Sequence, residues 1–155
     1  MSRQSSGVHA QGGDRVVALA AGTTALQQEV HANRLLTLST LDAPYTLNLP
    51  RATGSGDVYE FLSTGARTSG SIIINAVGTA PSNKFVGTIW QHTASTDTLV
   101  QFSSTTNDII TLNITTTGGA GVGDYLKIMD TAPDQWRIIW GFFTTSGNPA
   151  TPFSG

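Results

Sequence analysis

Three histidines, ten acidic side chains and a few glycine-rich runs are the residues of this chain with the means to do chemistry. His9, His31 and His92 show no metal-ligand spacing, and no His-x-x-x-His pair exists. Each reads as a surface or hydrogen-bonding residue. Glycoside hydrolysis needs two carboxylates facing one cleft about 5–9.5 Å apart. Glu29 and Glu60 are the only glutamates, and nothing in the sequence sets either in a cleft. Most of the aspartates, Asp42, Asp57, Asp97, Asp108, Asp130 and Asp134, fall where turns are expected, as their side-chain chemistry favours. Gly119-Ala-Gly-Val-Gly123 precedes a strand pattern rather than a helix and lacks a following Gly-Lys-Ser/Thr, so it reads as a hairpin loop and not a phosphate cradle. Gly54-Ser-Gly56 lacks the spacing of a nucleophile elbow. Asn113-Ile-Thr115 matches a glycosylation sequon, which matters only in a secreted chain. The inventory points away from an enzyme and calls for no cofactor and no metal.

The elements around these residues are those of one all-β domain. The chain has 155 residues, of which only 12% are charged, against about 25% in ordinary domains. Thr, Gly, Ala and Ser dominate, which favours strands and turns. Charge keeps small domains apart in solution, so a surface this poor in it suggests cover by copies of the chain or by a partner. A formal net charge of −2 leaves no basic footprint for nucleic acid. No apolar run approaches the ~18 residues of a membrane span. With no Cys there is no disulfide framework. Val16-Val-Ala-Leu-Ala-Ala21 is too short, and too poorly followed, for a signal-peptide core, so export by that route is not expected.

Residues 1–25 read as an extended N-terminal arm, polar and glycine-rich at its start. One or two helical turns are the most expected between residues 14 and 33. Period-two alternation then recurs at Leu36/Leu38, Tyr45/Leu47/Leu49, Val58–Leu62, Ile72/Ile74, Phe85–Trp90, Leu99–Phe102 and Ile110/Leu112. Roughly 8–10 short strands at such intervals predict an antiparallel β-sandwich or jelly roll over residues 26–143. Residues 144–155 form a tail anchored by Phe153. The centre of the core is expected in the hairpin of residues 123–143. Leu126 and Ile128 face one way there, with Tyr125, Lys127 and Met129 opposite, and Trp136, Ile138, Trp140 and Phe142 share a face at period two. With Leu47, Phe61, Ile72, Ile74, Ile110 and Leu112, the residues Leu126, Ile128, Trp136, Ile138 and Trp140 make the predicted core.

Three segments carry a resemblance. They are Asn33–Leu38 with Tyr45–Phe61, then Gly118–Asp130, then Asp134–Trp140 followed by a Gly- and Pro-containing tail. In this order they resemble small β-rich structural proteins of tailed bacteriophages, above all capsid cement (decoration) proteins, over roughly residues 24–155. The resemblance implies a homotrimeric jelly-roll or sandwich subunit on the outer capsid surface, made in the host cytoplasm. It would bind the major capsid protein at three-fold and quasi-three-fold positions and stabilise the expanded shell. The arm would reach the shell, with Arg3, His9 and Arg15 as its contact residues. No catalytic motif comes with the family, and no nucleic acid or membrane partner. A head-fibre or tail-fibre receptor-binding module is the alternative, in which Trp90, Tyr59 or Tyr125 would stack on sugar rings.

Overall fold

Alternation of apolar and polar side chains becomes strand after strand. In the computed structural model, residues 15–76 and 82–155 are described. They form β1 (Val16–Ala18), β2 (Gly22–Ala25), a one-turn helix α1 (Gln28–His31), β3 (Arg34–Leu38), β4 (Tyr45–Asn48), β5 (Val58–Ser63) and β6 (Ile72–Asn75). The second half adds β7 (Lys84–Thr93), β8 (Thr98–Ser104), β9 (Ile109–Leu112), β10 (Tyr125–Ala132), β11 (Gln135–Thr145) and β12 (Phe153–Ser154). The protein is all-β, as expected, and the one helical turn among the described residues falls within the stretch expected for it.

Two sheets hold these strands, seven in the order β1-β3-β5-β10-β11-β7-β8 and five in the order β12-β9-β6-β4-β2. Both are mixed, which corrects the expected antiparallel arrangement. β1, β3 and β5 run parallel in the larger sheet, and β2, β4 and β6 run parallel in the smaller. The chain therefore crosses to the other sheet after each of its first six strands and returns in the same direction, as a coil of three turns. Period-two patterning marks each strand but carries no information about which neighbour it pairs with. The second half is largely antiparallel, with the β10–β11 hairpin laid against β5, and with β7 parallel to β11.

Residues 16–25, expected in an extended arm, are instead woven into the sheets as β1 and β2. The Leu35 N–H donates to the Arg15 carbonyl at 2.8 Å and the Leu26 N–H to the Asn48 carbonyl at 2.8 Å, and Leu19 and Leu26 are buried. The tail is also tied down, since β12 pairs with β9 and Phe153 is buried. Arg3 and His9 lie outside the described residues.

Inward side chains of both sheets form one apolar cluster, including Leu47, Phe61, Ile72, Ile74, Ile110, Leu112, Leu126, Ile128, Trp136 and Ile138. Trp140 does not belong to it and is 50% exposed. The cause is a β-bulge. On β10, Lys127 faces Trp140 while the next residue, Ile128, faces Ile138, so Ile139 is an extra residue on β11. One inserted residue inverts the facing of everything after it. Trp136 and Ile138 point inward, then Gly141 and Phe143 do, and Trp140 and Phe142 are turned out.

Gly87 lies opposite this bulge with φ +140°, and a Cβ there would come within 2.8 Å of both the Ile138 Cβ and its carbonyl oxygen. Gly87→Ala is expected to cost about 2–4 kcal/mol, from overpacking plus backbone strain. Gly56→Ala also has positive φ, but a Cβ there meets nothing within 4 Å. It should cost only about 1 kcal/mol. Urea unfolding of the two variants checks the ranking.

Candidate docking face

The register of the seven-stranded sheet lines up what points outward. One cross-strand row runs Leu62, Tyr125, Phe142, Trp90 and Gln101 over β5, β10, β11, β7 and β8. A second runs Val16, Leu35, Glu60, Lys127 and Trp140. A third runs Val58, Met129, Arg137 and Val86. The buried Phe61, Leu126 and Ile128 alternate with these residues on the inner face. The outer face is therefore mostly apolar, with four aromatic rings, Tyr125, Phe142, Trp90 and Trp140, gathered on three adjacent strands. The bulge at Ile139 places two of them there, and Ile139 itself is 44% exposed.

The three rows carry few charges, Glu60, Lys127 and Arg137. Lys127 Nζ lies 3.1 Å from Glu60 Oε1, both partly exposed, so the pair contributes little stability. Arg137, exposed in the third row, is the remaining charge. Burial first, and then the hydrogen bond and charge of Glu60, push the Tyr125 phenol up to about 12, so it stays a neutral donor at physiological pH. His92 extends the face at one side, with its ring stacked on Phe142 (centroids 6.4 Å apart) and its Nε2 2.8 Å from Asp97 Oδ1. On the other side Arg15 and Arg34 flank an open depression beside the β1 edge.

The loops framing the sheet are fixed by buried polar side chains. Asp130 accepts the N–H groups of Thr53, Gly54 and Ser55 and the hydroxyls of Thr53 and Ser55. Burial pushes its carboxyl up, but these donors outweigh that and hold it below the ordinary value. Asp124 accepts from the Gly119, Gly121 and Thr144 N–H groups, which pins the glycine loop. There burial wins, and the Asp124 carboxyl ends above its ordinary value despite those bonds. Arg67 is buried over the Tyr45 ring and donates to the carbonyls of Thr40, Ala43 and Gly70.

Of the residues singled out from the sequence, Trp90 and Tyr125 are on the outer face, and Tyr59 is fully buried in edge-to-face contact with Trp136. Asp42, Asp97 and Asp134 take positive φ in turns. Among the described residues there is no group of three or more metal-ligating side chains, and no helix is long and apolar enough to cross a membrane. Arg67 and the outward turn of Trp140 and Phe142 were missed. The one available signal for the latter was Gly141 inside an unbroken apolar run, since glycine in a strand often accompanies a bulge.

No family model, no curated protein and no solved structure matches the chain. The functional reading therefore rests on the face itself. Soluble monomers rarely expose contiguous apolar patches beyond a few hundred Å², and larger ones mark interaction sites. Aromatic rings gathered on rigid strands, with Glu60 and Lys127 paired to each other and Arg137 the one other charge of the three rows, suit contact with another surface.

Proposed function

We propose that this protein is a virion structural protein, a capsid cement protein of a tailed phage. It would act as a homotrimer on the outer surface of the capsid, binding the major capsid protein at three-fold and quasi-three-fold positions and stabilising the expanded shell. In this reading the two mixed sheets are the layers of a sandwich or jelly-roll-like subunit, and the protein transforms no substrate. The observation that carries it is the outer aromatic face of the seven-stranded sheet, which the fold itself does not need and which suits a second copy of the chain. The low charge of the sequence supports the same reading. A trimer engages three capsid sites at once, and avidity then exceeds single-site affinity by about 10²–10⁴. Modest contacts per subunit suffice.

The test is to add purified protein to expanded, undecorated shells of the phage that encodes it and to reconstruct the particles. Density for three copies at the three-fold positions supports the proposal, and bare shells at saturating protein refute it. The arm carries a second expectation. Because β1 begins at Val16, the truncation that spares the sheets removes residues 1–14. It should leave the trimer folded and weaken shell occupancy, and undiminished occupancy would remove the arm from the contact.

The row of Tyr125, Phe142 and Trp90 also favours one other reading, a fibre-type receptor-binding module in which these rings stack on host sugars. Binding to host surface glycans without binding to shells would select it.

A further inference from the structure

Each sheet ends in two edge strands, and an edge presents a row of unpaired backbone N–H and C=O groups. The larger sheet ends in β1 and β8, the smaller in β12 and β2. Three of these edges are short, with three residues in β1, four in β2 and two in β12. β8 has seven, Thr98–Ser104, and runs along β7 without a bulge. Among the described residues no strand lies on its other side. Proteins that keep a long edge free protect it with lysine, proline, a bulge or a covering loop. Thr-Leu-Val-Gln-Phe-Ser-Ser carries no charge and no proline. Leu99 is 55% exposed, and Val100 and Phe102 are only partly covered.

The sequence of β8 suits pairing with itself. In an antiparallel pair about a two-fold axis, the register that engages the whole strand centres on Gln101. It sets Leu99 opposite Ser103 of the second copy, and Val100 opposite its Phe102. No like charges meet within the strand. The nearest charge, Asp97, precedes β8, falls opposite Thr105 of the second copy and is engaged by His92. The half-covered Val100 and Phe102 then cover each other, a β-branched side chain against an aromatic ring. Pairing also carries the row of Tyr125, Phe142, Trp90 and Gln101 from one copy into the next. The other edge of the same sheet is a poorer match. β1 has less than half the length, and Arg15 and Arg34 flank the depression beside it.

We propose that β8 is a self-association edge, at which two copies of the chain join antiparallel about a two-fold axis into one continuous sheet. Seven residues span about 24 Å and a sheet is about 10 Å thick, so the edge covers roughly 240 Å² per copy. A stable interface covers about 800 Å² per copy. The contact is therefore weak between free molecules and takes hold where copies are crowded side by side. It uses the edge of the sheet and not its outer face, so its failure leaves the cement reading untouched.

The chain has no cysteine, so one introduced thiol reports on one position. Gln101→Cys sets that thiol opposite its own copy, where directly opposed residues of an antiparallel pair lie about 4.5–5.5 Å apart at Cα, within reach of a disulfide. In concentrated full-length protein under mild oxidation, Gln101→Cys should form linked pairs about tenfold or more faster than Val122→Cys, because the thiols are held in one geometry. Val122, 70% exposed in the glycine loop, supplies the rate of chance encounters. Two charge variants of Gln101→Cys then test the register, at residues exposed enough to leave the fold intact. Leu99→Lys with Ser103→Lys opposes like charges across the axis and should slow linking to the Val122→Cys rate. Leu99→Lys with Ser103→Glu opposes unlike charges and should restore it. A Gln101→Cys rate no higher than that of Val122→Cys overturns the proposal. Equal rates in the two charge variants overturn it as well, by placing the contact elsewhere. Should either charge variant fail to fold, the Gln101→Cys rate decides the question alone.

Discussion

Replacing Trp140 by glutamate is expected to break the assembly into single chains while each chain stays folded. Trp140 is half exposed, so a lone subunit loses little packing by the change. In an assembly that covers the outer face, the same ring is an interface anchor. Truncating such an aromatic typically costs 2 kcal/mol or more per interface, roughly thirtyfold in dissociation constant. Glutamate adds a buried charge, and although Lys127 lies across the strand from it, that Lys is already paired with Glu60. Light scattering on the eluting peak should fall from three times the 16.2 kDa chain mass to the chain mass itself. The far-ultraviolet β signature should not change. Val122→Glu is the control. That residue is 70% exposed in the glycine loop and belongs to none of the three cross-strand rows, and its variant should remain assembled.

The largest effect on stability is expected from Asp130→Ala. One carboxylate holds three consecutive N–H groups of the 53–55 loop and two hydroxyls, and it is buried. Removing it takes the shared charged acceptor from these donors, which sit on exposed loop residues where water replaces only part of what is lost. At about 1–3 kcal/mol for each stranded group, partly relieved by loop movement, a loss of about 3–5 kcal/mol follows. The pH dependence carries a sign. The carboxyl is held below its ordinary value of 3.8 in the folded chain. A lowered value means that its stabilisation is complete above the unfolded value and is lost as pH falls through the folded one. The gap between wild type and Asp130→Asn should thus be flat near neutrality and close in acid, below about pH 3.8. Asp124 works in the opposite sense. Its folded value is raised, so its contribution is complete below the unfolded value and declines as pH rises through the folded one. Urea unfolding of wild type and variant at matched pH isolates the Asp130 contribution, because Asp124 is common to both.

Strand positions were legible because burial writes a period of two into the sequence. Leu36 and Leu38, Tyr45 and Leu47, Ile72 and Ile74, and Leu126 and Ile128 are all buried. Pairing was not legible. A strand that returns parallel after one turn of a coil has the same local pattern as one arm of a hairpin, so β1, β3 and β5 gave no sign of stacking on each other. β2, Gly-Thr-Thr-Ala, has no apolar alternation at all, and its place is fixed by β4 alongside it. Trp140 was misplaced because a single extra residue, Ile139, inverts the facing, and nothing short of the partner strand reveals it. The staples were hidden for another reason. Asp130 meets Thr53, Gly54 and Ser55 from more than seventy positions away, so its role exists only once β10 lies beside the loop. For the candidate face, Tyr125 and Trp90 were noticed as aromatic side chains, but their union into one row with Phe142 needed the register of three strands.

Hydroxyl-radical footprinting of the intact protein, read residue by residue with mass spectrometry, asks most directly whether the aromatic face is a covered contact surface. At high concentration Trp140 should oxidise nearly as slowly as the buried Trp136, and dilution, which dissociates the assembly without unfolding the chain, should raise the Trp140 rate alone. Trp140 labelled at the rate of a free surface tryptophan at every concentration, with or without expanded shells present, would mean that nothing covers this face.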